Sequence, residues 1–107
     1  AAAMGDIGKL FPDNDERFSG ADSLLLLKEV MRRLREAGYE LNNADCTILA
    51  QRPKLAKHIQ SMRDNIAEAM SVPVELISVK ATTEEGLGFT GSGEGIAAHA
   101  VVLINNI

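Results

Sequence analysis

The chain has 107 residues, 46% of them hydrophobic but only 4% aromatic, and a formal net charge of −4. That length allows one domain with a modest, aliphatic core, burying roughly two thirds of the unfolded surface. The acidic balance argues against nucleic acid and anionic membrane as partners, since both need a concentrated basic face.

The first residues, AAAM before Gly5, read as the last turn of a helix meeting its stop. The chain is therefore expected to begin inside an element, with preceding sequence missing. No signal peptide is legible, and no apolar run approaches the ~20 residues of a membrane span. Gly5–Gly20 reads as loop, with turn residues Phe11-Pro12-Asp13-Asn14-Asp15. Ser23 is placed to cap a helix to about Ala37, stopped by Gly38, with Leu24, Leu27, Met31 and Leu34 on one face. Asp45–Ala50, DCTILA, is short, apolar and β-branched, and predicts a buried strand containing the single cysteine, Cys46. A lone thiol in an apolar run fits a reducing compartment and a core role.

Pro53 cannot continue a central strand but suits a first helical turn. Apolar residues at 55, 59, 62, 66, 69 and 70 predict a second amphipathic helix, ended by Val72-Pro73. Leu76–Thr82 and Ile96–Ile104 are the remaining strands. The strand–helix–strand unit over Asp45–Thr82 predicts a parallel crossover, after which the last strand can return antiparallel. The fold class is α+β: a two-layer α/β sandwich, with a mixed sheet and helices on one face. The other sheet face is expected to be aliphatic and uncovered, to be buried by another copy of the chain.

The candidate chemistry centres on Gly86–Gly95, GLGFTGSGEG, and on ATTEE before it. Five glycines in ten residues let a ligand approach the main chain closely. The threonine hydroxyls and carboxylates beside them are the parts needed to hold a phosphate and a hard cation; an ordinary long turn is the plain alternative. Thr82 and Thr83 end a parallel strand, the edge where ligands sit in open α/β sheets. Glu85 is a hard ligand for Mg²⁺ or Mn²⁺ but makes no site by itself. Lys54 can bring an ammonium to a phosphate beside free amides, or is a solvated lysine. Asp6, between glycines, can accept from a hydroxylated ligand or cap a turn; Asp13 and Asp15 have a metal-binding spacing or form an Asx turn. His58 and His99 have no acidic partners nearby and read as structural. The glycine-rich segment lacks the endings of nucleotide-phosphate fingerprints.

Three blocks, AAAMGDIGKLFPDND, DCTILAQRPK and VKATTEEGLGFTGSGEGIA, resemble successive blocks of 2-C-methyl-D-erythritol 2,4-cyclodiphosphate synthases, in order and over essentially the whole chain. The resemblance implies a lyase of the methylerythritol phosphate route of isoprenoid precursor synthesis. It would cyclise 4-diphosphocytidyl-2-C-methyl-D-erythritol 2-phosphate and release CMP, as a cytoplasmic homotrimer (plastid-type organelle in a eukaryote) with sites between subunits. By position, Asp6, Ile7, Gly8, Phe11, Pro12, Asp13, Asn14 and Asp15 resemble the segments around the methylerythritol phosphate. Ala50, Pro53, Lys54, Leu55 and Ala56 resemble the cytidine loop. Ala81, Thr82 and Thr83 resemble the ribose and diphosphate contacts, with Thr83 the transition-state stabiliser. Phe89 resembles a residue close to the substrate, and Glu85 the ligand of Mg²⁺ or Mn²⁺.

Ser92 stands where the family often has arginine. The family's zinc ligands, an Asp-x-His pair and a further His, lie upstream of the residues present. The single domain, 1–107, thus resembles the family without its N-terminal strands and most of its first helix. Alone it is expected to be inactive. The alternative is a non-catalytic cytidine-nucleotide-binding or trimer-forming module.

Overall fold

A computed structural model describes residues 1–12 and 22–107. Its elements are α1 (Ile7–Leu10), α2 (Ser23–Glu36), β1 (Tyr39–Leu49), α3 (Ile59–Met70), β2 (Ile77–Thr82), α4 (Gly88–Gly91) and β3 (Ala97–Asn106), with 3-10 turns at Ala56–His58 and Val74–Leu76. The sheet order is β2-β1-β3, with β1 parallel to β2 and antiparallel to β3. The mixed sheet and parallel crossover are as the pattern predicts. α2 packs on β1 and α3 on β2, and the two helices touch each other, giving two layers.

The core sits between those layers. Met31, Leu41, Ala44, Ala67, Met70, Ile77 and Val79 form it, with Leu27, Leu34, Ile59, Met62 and Ile66 packed around. Leu27, Met31 and Leu34 recur at helical spacing, and Ala44, Ile77 and Val79 alternate along their strands. Two arginines tie the elements together. Arg35 Nη2 donates to the Met70 carbonyl at the end of α3. Arg63 Nε donates to the Ile77 carbonyl at 2.8 Å and its Nη2 to Val74 at 3.2 Å, fixing where β2 begins. α3 closes on Ser71, which is left-handed at φ 55°.

The structure corrects several expectations. Ala1–Met4 is not the end of a helix, and Ala3 has φ 55°. A lone turn of alanines closes too few hydrogen bonds to offset nucleation. The cap of α2 is Asp22, one residue before Ser23; its Oδ1 accepts from Leu24 N–H at 2.7 Å. β1 begins six residues earlier than predicted, at Tyr39 rather than Asp45. Asn42 and Asn43 are of turn-favouring types, and the chain absorbs the irregularity there as a register shift between Leu41 and Asn43 against β3. The uncovered sheet face is not simply aliphatic. Alternation puts Asp45, Thr47, Ser78, Lys80 and His99 there beside Leu49, Val101 and Leu103, and Lys80 Nζ pairs with Asp45 Oδ1 at 2.7 Å. Only its β3 side is apolar, with Val101 75% and Leu103 55% exposed.

On α2, Glu29 accepts from Arg32 at 2.8 and 3.0 Å and from Arg33 Nε at 3.0 Å. These bonds, from Arg32 first and then Arg33, hold its carboxyl at about 2, below an ordinary value of 4.5. A lowered carboxyl stabilises the fold above its unfolded value, and that contribution is lost as the pH falls from 4.5 towards 2. Glu29→Gln is expected to flatten this acid limb by at most about 5 °C in melting temperature, because Arg32, the principal partner, is 60% exposed and solvent screens its charge. Thermal scans at pH 2, 3, 4.5 and 7 (chosen to bracket about 2 and 4.5) check it.

Candidate functional site

β1 and β2 run parallel and end together, with Leu49 opposite Thr82 and Ala50 N–H donating to the Thr82 carbonyl at 3.1 Å. The chain then leaves β1 through a cis Arg52–Pro53 bond towards the Ala56–His58 turn and α3. β2 leaves through Thr83 into the glycine-rich turn. A cleft of about 360 Å³ opens between the two exits, lined by Ala50, Gln51, Pro53, Lys54, Leu55, Ala56, Ile59, Ala81, Thr82 and Thr83. Every residue that the resemblance assigns to cytidine, ribose and diphosphate therefore lines one cavity.

The cleft lining is part apolar and part polar. Leu55, Ile59 and Ala56 offer surface for a base, Lys54 an ammonium, and Thr82 and Thr83 hydroxyls. Lys54 makes no hydrogen bond or ion pair among the described residues, so its charge is available to an anion. Thr82 Oγ1 donates to the Thr83 carbonyl at 3.3 Å, and Thr83 Oγ1 accepts from Glu85 N–H at 3.3 Å. Thr83 thus organises the turn that carries Glu85, which sits at φ 53°. Among the described residues no carboxylate lines the cleft.

The glycine-rich segment is not plain loop. It folds back through the four-residue α4, with Thr90 and Gly91 buried. Gly91 lies against Gly86: a β-carbon there would meet the Gly86 carbonyl carbon at 2.4 Å. The glycines serve close backbone approach, which holds Thr83, Glu85 and Phe89 in one compact turn.

Other predicted residues stand apart from the cleft. Asp6 caps α1, its Oδ1 accepting from Lys9 N–H at 2.9 Å, which is the turn-capping role. Asp6, Ile7, Gly8, Phe11 and Pro12 line none of the cleft, nor do Glu85 and the exposed Phe89. Asp13, Asn14 and Asp15 lie outside the described residues. Sequence reasoning missed Gln51 and Ile59. Gln51 was legible from its place between Ala50 and Pro53, Ile59 only as a core position. Burial, with Asp45 adjacent, pushes the Cys46 thiol up, away from the thiolate form. Among the described residues no three His, Cys, Asp or Glu side chains converge on a metal position. No described helix is long and apolar enough to cross a membrane.

Comparison with known proteins shows what the chain is similar to. The chain is 64% identical over 104 residues to the 2-C-methyl-D-erythritol 2,4-cyclodiphosphate synthase of Trichlorobacter lovleyi, covering 97% of the chain and 66% of that protein. It is 61% identical over 105 residues to that of Carboxydothermus hydrogenoformans, covering 98% and 64%. The chain thus spans somewhat under two thirds of the length of these curated relatives. Among solved structures, the bifunctional IspDF of Campylobacter jejuni matches with a TM-score of 0.93 and 45% identity, over the whole chain and 29% of that protein. A CDP-bound 2C-methyl-D-erythritol-2,4-cyclodiphosphate synthase matches at 0.85 and 36%, over 95% of this chain and 65% of that one. The YgbB family profile matches residues 1–105, and with the ordered motif blocks and the shared fold this makes the chain a member of the YgbB family.

Proposed function

We propose that this chain carries the nucleotide and diphosphate part of a cyclodiphosphate synthase site. The reaction converts 4-diphosphocytidyl-2-C-methyl-D-erythritol 2-phosphate to 2-C-methyl-D-erythritol 2,4-cyclodiphosphate and CMP, in isoprenoid precursor synthesis. The observation that carries the reading is the convergence of Ala50, Pro53–Ala56 and Ala81–Thr83 on one cleft. The CDP found in solved relatives, and the names of the curated relatives, support it.

In the reaction an oxygen of the 2-phosphate attacks the β-phosphorus, the bond from that phosphorus to the bridging oxygen breaks, and CMP leaves with the electron pair. The protein's part is positioning and charge neutralisation. Main-chain groups of Ala50 and Leu55–Ala56 hold the base, Lys54 faces the phosphates, and the Thr83 hydroxyl stabilises charge on the diphosphate as the bond exchanges. Glu85 fits a Mg²⁺ or Mn²⁺ site of the kind that combines one carboxylate with substrate phosphates: it is exposed, and its carboxylate is unpaired among the described residues. Such a cation would neutralise phosphate charge. Zinc does not fit the described residues, which supply no set of three ligands, so no step is placed on it. Its ligands in the family pattern lie outside this chain, and the chain alone is expected to bind nucleotide without turnover. The homotrimer and a cytoplasmic location belong to the same proposal. The apolar β3 side of the sheet supports assembly, and an intersubunit site would bring the Asp6–Pro12 segment of one copy to the cleft of another.

Glu85→Gln is expected to weaken Mn²⁺ binding to the CDP-loaded protein about tenfold while leaving CDP affinity in metal-free buffer unchanged, as read by electron paramagnetic resonance and calorimetry. The function itself is tested by ³¹P NMR on a chimera joining this chain to the remainder of the Trichlorobacter lovleyi sequence. Cyclic diphosphate and equimolar CMP are expected. CMP binding with no turnover would favour the second reading, a nucleotide-binding module.

A further inference from the structure

α1 is a single turn of four residues with no buried side chain, and its Ile7 is 62% exposed. A helix this short does not persist in water on its own. Contacts from outside must help to hold it in place, and among the described residues Arg33 on α2 supplies two of them. Arg33 Nη1 donates to the Leu10 carbonyl at 2.8 Å, at the end of α1 where carbonyls lack helical partners. Its guanidinium carbon lies 5.0 Å from the centre of the Phe11 ring, a cation–π distance. Its Nε is held by Glu29 at 3.0 Å, and both side chains are about four-fifths buried, at 20% and 19% exposure. Glu29 is in turn gripped by Arg32, so the guanidinium plane is fixed from behind. The positive charge also sits at the negative end of the α1 dipole.

Resting on the proposed function, we propose that Arg33 is a positioning residue for the substrate. It touches no ligand; it seats the Asp6–Pro12 segment, which that reading assigns to the methylerythritol phosphate. The cytidine cleft is built from other elements and does not depend on it. The two halves of the ligand should therefore respond differently to Arg33.

The test compares wild type, Arg33→Met and Arg33→Lys. Amide exchange by NMR reads Leu10 and Phe11, whose N–H groups donate to Asp6 and Ile7 carbonyls within α1. Ile77 and Val79 serve as core references. Calorimetry reads CMP and the diphosphocytidyl methylerythritol 2-phosphate separately. In Arg33→Met, exchange at Leu10 and Phe11 is expected to rise at least about tenfold with the core references unchanged. Affinity for the whole substrate should fall about tenfold while CMP affinity stays within about twofold. Arg33→Lys, which keeps a charge and one donor, should recover part of both losses.

Unchanged exchange at Leu10 and Phe11 overturns the proposal. So does faster exchange with substrate affinity intact, or equal acceleration at Ile77 and Val79, which would make Arg33 a global stabiliser. If wild type binds neither CMP nor substrate, the proposed function fails and the positioning role falls with it; the exchange ratio still decides whether Arg33 seats α1.

Discussion

Replacing Gly91 with alanine is expected to lower the melting temperature by about 5–15 °C and to abolish nucleotide-dependent Mn²⁺ binding. The new methyl would lie 2.4 Å from the Gly86 carbonyl carbon and 2.8 Å from its Cα, both backbone atoms that cannot swing aside. Gly91 is buried and Gly86 sits at φ 83°, so neither side of the contact has a cheap way to yield. Overpacking of this kind costs about 1–3 kcal/mol. The relief available is to open the turn, and the turn carries Glu85 and the amide that binds the Thr83 hydroxyl. Stability and metal binding should therefore fail together. Gly93→Ala is the control: its φ is 82° but nothing lies within 4 Å of the added carbon, so only backbone strain of about 1 kcal/mol is expected. Calorimetric scans of both variants check this. A Gly91→Ala protein that melts with wild type would mean the turn does not close on Gly86.

Lys54→Ala is expected to weaken CMP and CDP binding by about 10- to 100-fold while leaving the melting temperature within about 1 °C. Lys54 is exposed and bonded to nothing among the described residues, so removing it takes little from the fold. Among the described residues it is the one cationic side chain on the cleft lining. Charge-assisted contacts to a phosphate contribute about 1.5–3 kcal/mol, and each 1.4 kcal/mol is a factor of ten. The salt dependence of binding should flatten in the variant, since the screened charge is gone. Equal affinity in the two proteins would move the phosphates away from Lys54.

Much of this arrangement was legible before the fold was known. The recurrence of Leu27, Met31 and Leu34, and of residues 59, 62 and 66, reports two helices with one shared core because helical period and burial are the same fact. The strand–helix–strand order then fixes that Ala50 and Thr82 end at the same edge, which is why the cleft could be anticipated from chain order. What escaped was local. Asn42 and Asn43 hid the first half of β1, because a bulge and a turn use the same residue types. α1 and α4 are single turns held by tertiary contacts, Arg33 for one and Gly86–Gly91 for the other, and carry no periodic signal. Lys80 and Asp45 lie 35 residues apart, so the ion pair that makes the open sheet face polar cannot be seen along the chain. The residues Asp6–Pro12 and Glu85 were named by motif, yet they do not line the cleft of the same chain, because α1 and the α4 turn lead elsewhere.

The central claim is that a cytidine nucleotide sits where β1 and β2 end. Amide chemical-shift mapping during a CMP titration tests it most directly. The account predicts saturable shifts at Ala50, Gln51, Leu55, Ala56 and Ala81–Thr83, with α1 and the open sheet face unmoved. Saturable shifts centred elsewhere, or none at millimolar CMP, would contradict it.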